Sequence, residues 1–91
     1  MPRYMVEHDF PDVGRLSPAE LRLVAQQAQR ALSELGPGIQ WAVSYVADHK
    51  IYTLYFARNK GLIREHGRLA GLPTSQLMLV CAVMDPTAGE G

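Results

Sequence analysis

The sequence predicts one small α+β domain in which two helices pack on one face of a four-stranded antiparallel sheet. The chain has 91 residues, of which 47% are hydrophobic, and this is enough to bury a single core. Two segments carry apolar residues at helical spacing, and four short segments are rich in residues that favour strands. Their order along the chain is β-α-β-β-α-β, the split β-α-β arrangement.

The first strand and the first helix have the clearest boundaries. Residues 3–9 are β-prone, and a proline follows shortly after them. Ser17 is followed by Pro18 and Glu20, which is the pattern of a capping box with proline at the first helical position. We therefore expect a helix to begin here and to end at Gly36. Its apolar stripe consists of Leu21, Val24, Ala25, Ala28, Leu32 and Leu35.

The next two strands form a predicted hairpin. Residues 39–46 alternate in the period of a strand, which would place four larger side chains on one face. Residues 47–50 then have the composition of a turn, and residues 51–56 return as the third strand. The four side chains predicted to share a face are Ile39, Trp41, Val43 and Tyr45.

The second helix and the last strand complete the domain. Asn59 is placed to cap a helix that Gly71 ends. Residues 76–84 are predicted to form the fourth strand, within a single domain of residues 1–85. Residues 86–91 are predicted to be a flexible C-terminal tail. One face of the helix carries Leu62, Ile63, His66, Leu69 and Ala70.

This order of elements predicts a ferredoxin-like sandwich that forms a dimer. Two right-handed crossovers place the first and third strands at the centre of the sheet. The predicted fourth strand is apolar on both faces, although the helices cover only one. We therefore expect the other sheet face to pack against a second copy, giving a homodimeric α+β barrel. The alternative cover, the C-terminal tail, is short and almost without aliphatic residues.

Composition argues against several classes of partner. Nine Lys and Arg balance nine Asp and Glu, so no net charge attracts the chain to nucleic acid or to a membrane surface. No apolar run approaches the roughly 20 residues that cross a bilayer. Cys81 is the single cysteine, and the first residues lack the apolar core of a signal peptide. The sequence therefore predicts a cytoplasmic protein that binds neither nucleic acid nor membrane.

His66 is the most informative polar residue. It shares the apolar stripe of the second helix, so its imidazole is expected to point toward the sheet. One interpretation is a core histidine that bonds to a tyrosine hydroxyl or a backbone carbonyl. The other is a divalent-metal ligand, or an acid/base group in a pocket between helix and sheet. Glu65 projects about 100° away around the helix and reaches the pocket rim at most.

Glu7 is the second candidate ligand. It lies on the predicted first strand, with Asp9 on the same face and His8 on the opposite face. A buried carboxylate has to be paired, protonated or bound to a cation, because an isolated buried charge is too costly. The alternative is that these charges lie near an exposed end of the strand.

The remaining polar and aromatic residues give weaker signals. Tyr45 and Tyr55 are candidates for lining a ligand pocket, although aromatic residues on strands usually belong to the core. Cys81 lies in an apolar stretch without a positive neighbour and is a poor candidate nucleophile. The sequence contains no phosphate-binding loop and no paired-cysteine motif.

Several segments together resemble a family of small ferredoxin-like proteins, long catalogued as a domain of unknown function, with members described as nickel-binding. The resemblance implies a compact dimer that binds a metal or a small ligand, without an established enzymatic reaction. The positions that match recurrent polar residues of this family are Glu7, Tyr45 and His66. The segments that carry the resemblance are residues 4–9, 35–36, 39–41, 44–46, 63–66 and 71–73.

The sequence therefore supports one leading hypothesis and two alternatives. The leading one is a dimeric binding protein in which His66 and Glu7 hold nickel or another divalent metal, for which copper and zinc would compete. The first alternative is a small enzyme that performs cofactor-free oxygenation or isomerisation, with His66 as general base in a pocket. The second is an interaction module in which His66 is only a core residue.

Overall fold

The computed structural model describes residues 1–89 and confirms the predicted β-α-β-β-α-β order. Neither helix combines the length and the apolar character needed to cross a bilayer within this described part. Short 3₁₀ turns lie at Val13–Arg15, Gly36–Gly38 and Pro86–Gly89. The main elements are β1 (Arg3–Asp9), α1 (Pro18–Leu35), β2 (Ile39–Val46), β3 (Lys50–Ala57), α2 (Lys60–Ala70) and β4 (Gln76–Leu79).

The four strands form one antiparallel sheet in the order β2-β3-β1-β4. This confirms the central position of the first and third strands. Tyr4 pairs with Tyr55 and Val6 pairs with Thr53, and all four side chains are buried on the face that the helices cover. The core continues from these residues into the helices through Ile63, which is fully buried.

Both helices begin and end where the sequence signals predict. The Ser17 hydroxyl accepts the Glu20 N–H at 3.1 Å, and the Glu20 carboxylate accepts the Ser17 N–H at 3.0 Å. This capping box satisfies amides that have no partner inside the helix. The Asn59 side chain caps α2 by accepting a backbone N–H at 3.0 Å. Gly71 ends α2 with a φ of 72°, a conformation that favours glycine.

The predicted alternation of β2 is wrong beyond its first half. The register with β3 shifts between Trp41 and Val43, so Ala42 is an extra residue in the ladder. Such a bulge moves every following side chain to the opposite face. Trp41 therefore faces the helices, whereas Val43 and Tyr45 lie on the other face of the sheet.

The predicted fourth strand is too long. β4 ends at Leu79, and the last ladder contact is the Val80 N–H bond to the Arg3 carbonyl at 2.9 Å. Arg3 is the first residue of β1, so the following residues have no partner strand to pair with. Val83 and Met84 are 65% and 90% exposed. In the predicted tail, the 3₁₀ turn Pro86–Gly89 follows, and residues 90–91 lie outside the described residues.

The sheet face away from the helices is called the open face below. It carries a mixture of apolar, aromatic and charged side chains that no element within residues 1–89 covers fully. Tyr45 is 64% exposed, Met78 is 44% exposed and Val43 is 37% exposed. By strand register the open face consists of Met5, Glu7, Asp9, Gln40, Val43, Tyr45, Lys50, Tyr52, Leu54, Phe56, Gln76 and Met78, with Arg3 at its edge.

Candidate functional site

His66 lies between α2 and the sheet with only 1% of its surface exposed, as its place in the apolar stripe predicts. Its Nε2 is 2.8 Å from the Ala28 carbonyl oxygen, which can only accept a hydrogen bond. Nε2 therefore carries the proton, and Nδ1 has a free lone pair. The Tyr55 hydroxyl lies 2.7 Å from Nδ1 and donates to it. One tautomer thus satisfies both ring nitrogens.

The environment of this pair favours neutral side chains. Burial lowers the pKa of His66 from 6.5, although the bond to the Ala28 carbonyl opposes this change. Burial also raises the pKa of Tyr55 far above 10.0, so its hydroxyl stays protonated. For His66 to bind a metal ion, or to take a proton from a substrate, one of its two hydrogen bonds would first have to break. This arrangement agrees with a core histidine and leaves no free nitrogen for a general base.

His8 is a buried polar residue whose importance the sequence analysis missed. It is fully buried on the helix-covered face, and its Nδ1–H donates to the Pro73 carbonyl at 3.1 Å. Its Nε2 has no hydrogen-bond partner among the described residues. Desolvation is the main cause that lowers the pKa of His8 from 6.5. The signal was present in the alternation of β1, which places His8 on the same face as Tyr4 and Val6.

Glu7 lies on the open face and is paired with a cation, one of the options for a buried carboxylate. The Lys50 ammonium donates to the Glu7 carboxylate at 3.2 Å and lies 3.7 Å from the Asp9 carboxylate. The Glu7 side chain remains 23% exposed. The hydrogen bond to Glu7 is the largest cause that raises the pKa of Lys50.

One chain does not bring Glu7 and His66 together. Glu7 pairs in register with Tyr52 on the open face, whereas His66 contacts Tyr55 on the opposite face. The sheet therefore separates the two predicted metal ligands. Within residues 1–89, no three His, Cys, Asp or Glu side chains are grouped closely enough to hold a metal. The described part of a single copy thus does not fit a three-ligand nickel site, and ligation by either residue stays a prediction.

The three predicted pocket residues lie in different places. Tyr45 is on the open face, because the bulge in β2 turns it away from the helices. Glu65 is a half-buried residue of α2 whose side chain is 42% exposed and forms an ion pair with Arg68. The bond to Arg68 lowers the pKa of the Glu65 carboxyl. Only Tyr55 lies beside a cavity.

That cavity lies between α1 and the strands β2 and β3 and has a volume of about 220 Å³. Tyr55 and His66 contribute to its lining. Its polar wall contains a short chain of hydrogen bonds, in which the Trp41 indole N–H donates to the Ser44 hydroxyl at 2.9 Å. The Ser44 hydroxyl is 2.7 Å from that of Thr53. The other lining side chains are apolar: Leu21, Val24, Ala25, Ala28, Val46, Ile51 and Leu72.

Comparisons with known proteins identify the family of the chain. No curated protein matches it in sequence. The crystal structure of SCO4226 from Streptomyces coelicolor A3(2) is similar, with a TM-score of 0.73 and 13% sequence identity, over 90% of this chain and 99% of that chain. At this identity the likeness shows the ferredoxin-like fold. The family model described as nickel responsive protein SCO4226-like matches residues 4–80. The chain therefore belongs to the SCO4226-like family of nickel responsive proteins.

Proposed function

We propose that this chain is a small nickel-binding protein that acts as a homodimer, with the metal held on the open face by Glu7. The family description names a response to nickel. Among the predicted ligands, Glu7 alone combines a partly exposed carboxylate with a position on an uncovered face. That placement of Glu7 is the observation that carries the proposal. The single cysteine is in keeping with a reducing compartment such as the cytoplasm.

The dimer is proposed from the open face. Its centre is formed by side chains from all four strands, and several large apolar groups there remain in contact with water. One row across the face is apolar, formed by Val43, Leu54, Met5 and Met78. Exposed apolar patches with polar surroundings mark association surfaces. A standard stable interface covers about 800 Å² on each partner, and sheet-on-sheet packing of two copies is the arrangement that would cover this face. The cavity and His66 lie on the helix-covered side and would be unaffected.

The nickel site is proposed to need two copies, because residues 1–89 of one chain bring together too few ligands. Glu7 of each copy would lie in or beside the shared interface, which doubles the number of available carboxylates. Lys50 occupies the Glu7 carboxylate in the single chain, so a metal cation would compete with the ammonium for it. We propose that His66 stabilises the fold and does not bind the metal, since both of its nitrogens are hydrogen-bonded.

Calorimetric titration of tag-free protein with nickel tests this proposal. We expect saturable binding to the wild type and a loss of about tenfold or more in Glu7→Gln, since even outer partners of metal ligands change affinity by about 10–100-fold. Glu65→Gln is the matched control, because Glu65 is a carboxylate that also pairs with a cation, Arg68, but lies on α2 instead of the open face. His66→Phe is expected to retain nickel binding. Equal affinity in wild type and Glu7→Gln would overturn the assignment of Glu7.

A further inference from the structure

The cavity beside Tyr55 exists because small side chains face each other across it. The α1 helix presents Ala25 and Ala28 to the sheet, and the sheet presents Ser44 and Thr53 opposite them. Larger residues at these positions would bring the helix and strands into contact, because protein interiors are normally close-packed. The pairing of two alanines with two small hydroxyl residues thus leaves a hollow of about 220 Å³.

The lining of the cavity selects against charged molecules. No Lys, Arg, Asp or Glu is among its lining residues, and His66 is held in the neutral form by burial. An ion entering this space would lose its hydration without gaining an opposite charge, which is strongly unfavourable. The cavity therefore suits a neutral molecule with a largely apolar surface.

A count of hydrogen atoms on the polar wall indicates one unused donor. The Ser44 and Thr53 hydroxyls have two hydrogens between them, and the bond between the hydroxyls uses one. The Trp41 N–H donates to the Ser44 oxygen, so this bond uses a lone pair of Ser44 and neither of the two hydroxyl hydrogens. Neither hydroxyl has another acceptor among the hydrogen bonds of the described residues. One hydroxyl hydrogen, on Ser44 or on Thr53, is thus left for an acceptor in the cavity that both residues line.

We infer that the cavity binds a neutral molecule built on a single ring, with a ketone-like oxygen that accepts the unused hydroxyl hydrogen. The size follows from the volume, since an apolar protein cavity of about 150 Å³ holds benzene. A volume of about 220 Å³ adds room for a short substituent. This site is independent of the nickel proposal, because it lies on the other side of the sheet from Glu7.

Three probes of similar shape test the inference: acetophenone, ethylbenzene and benzoate. Trp41 is the single tryptophan, so its indole N–H gives one assigned signal beside the cavity in a ¹⁵N–¹H NMR spectrum. We expect acetophenone to shift this signal saturably. Ethylbenzene lacks the acceptor and should bind several-fold to about tenfold more weakly, the range of one net hydrogen bond. Benzoate should cause no saturable shift.

Matched variants locate the binding. Ala25→Leu fills the cavity from α1 and should abolish the acetophenone shifts, whereas Gln26→Leu adds the same side chain on the exposed side of α1 and should retain them. If Ala25→Leu does not fold, the comparison of the three probes on the wild type still tests whether the cavity prefers a neutral ring with an acceptor oxygen. No acetophenone binding, binding that Ala25→Leu leaves unchanged, or equal affinity for ethylbenzene or benzoate would overturn the inference.

Discussion

The hydrogen bond between Tyr55 and His66 joins the centre of the sheet to α2. This bond stabilises the fold mainly because each group would otherwise be buried without a partner. A buried nitrogen without a partner keeps its full desolvation cost. His66 has two partners and His8 has one, so the helix-covered face holds one satisfied and one half-satisfied imidazole. Burial favours the neutral form of both rings, so the stability of the fold depends on pH.

Removal of the Tyr55 hydroxyl should destabilise the protein. Tyr55→Phe leaves Nδ1 of His66 buried without a donor, and we expect the free energy of unfolding to fall by about 1–3 kcal/mol. Urea denaturation measures the change. A small effect of Tyr55→Phe would mean that this bond contributes little.

The two buried histidines should make stability fall in mild acid. In the unfolded chain the imidazoles have a pKa near 6.5. In the folded state, burial lowers the pKa of both His8 and His66 below this value. Between those values the unfolded state binds more protons, so the free energy of unfolding decreases as pH falls below about 6.5. Urea denaturation at pH 7.5 and 5.5 measures the decrease.

Variants separate the buried from the exposed histidine in that measurement. His8→Leu should show a smaller decrease than the wild type, because one buried imidazole is gone. His49→Gln should behave like the wild type, since His49 is 68% exposed in its side chain. A stability that does not change between the two pH values would contradict the proposed neutral state of His8 and His66.

At the scale of the elements, the connection from α2 to β4 depends on close packing at one glycine. A Cβ atom on Gly67 would lie 2.7 Å from the Leu72 carbonyl oxygen and 2.8 Å from the Thr74 hydroxyl. The same connection carries the Pro73 carbonyl that accepts from His8. Position 67 of the helix therefore has no room for a side chain, because the segment after the helix packs directly against its backbone.

Substitution of Gly67 tests this contact. Gly67→Ala should lower the free energy of unfolding by about 1–3 kcal/mol through overpacking, although alanine favours a helix by about 1 kcal/mol. At the exposed start of the same helix, a Cβ on Gly61 would meet only the Asn59 Oδ1, at 3.2 Å, so Gly61→Ala should change stability by less than about 1 kcal/mol. Thermal and urea denaturation compare them. If both variants had equal stability, the close contact at Gly67 would be unimportant.

Local signals predicted the helices well and the strands less well. The capping box at Ser17 and the glycines at both helix ends are short-range patterns that work through their own backbone. The bulge at Ala42 and the end of β4 at Leu79 depend on partner strands, which are far away in sequence. Alternation alone cannot show where one strand gains a residue or where its neighbour begins.

The candidate site shows the same limit. The inward position of His66 followed from helical periodicity, and the separation of Glu7 from His8 followed from strand alternation. The partners of His66 could not be read from periodicity, because the Ala28 carbonyl is 38 residues away and belongs to the other helix. Grouping Glu7 with His66 required knowing on which face of β1 the helices pack.

At the scale of the whole molecule, the sheet divides the protein into two regions. The helix-covered side holds the core, the two neutral histidines and the cavity, whereas the open face holds Glu7 and the exposed apolar groups. A division of this kind allows self-association and metal binding on one side while the packing on the other side stays unchanged.

A charge on the open face should separate the proposed dimer. Leu54→Glu places a carboxylate near the centre of β3 on that face, and burying it between two copies would be strongly unfavourable. We expect sedimentation velocity to show a dimer for the wild type and a monomer for Leu54→Glu. Leu23→Glu should remain a dimer, because Leu23 lies on α1 and is 64% exposed. A monomeric wild type would contradict the dimer directly.

The most direct test of the proposed nickel site is an anomalous difference map at the nickel absorption edge from crystals grown with nickel. We expect a nickel peak on the open face, in contact with the Glu7 carboxylate and close to a second copy of the chain. The Tyr55–His66 hydrogen bond should stay intact in the same crystals. A nickel peak at the His66 imidazole with that bond broken, or no ordered nickel at Glu7, would contradict the proposed site.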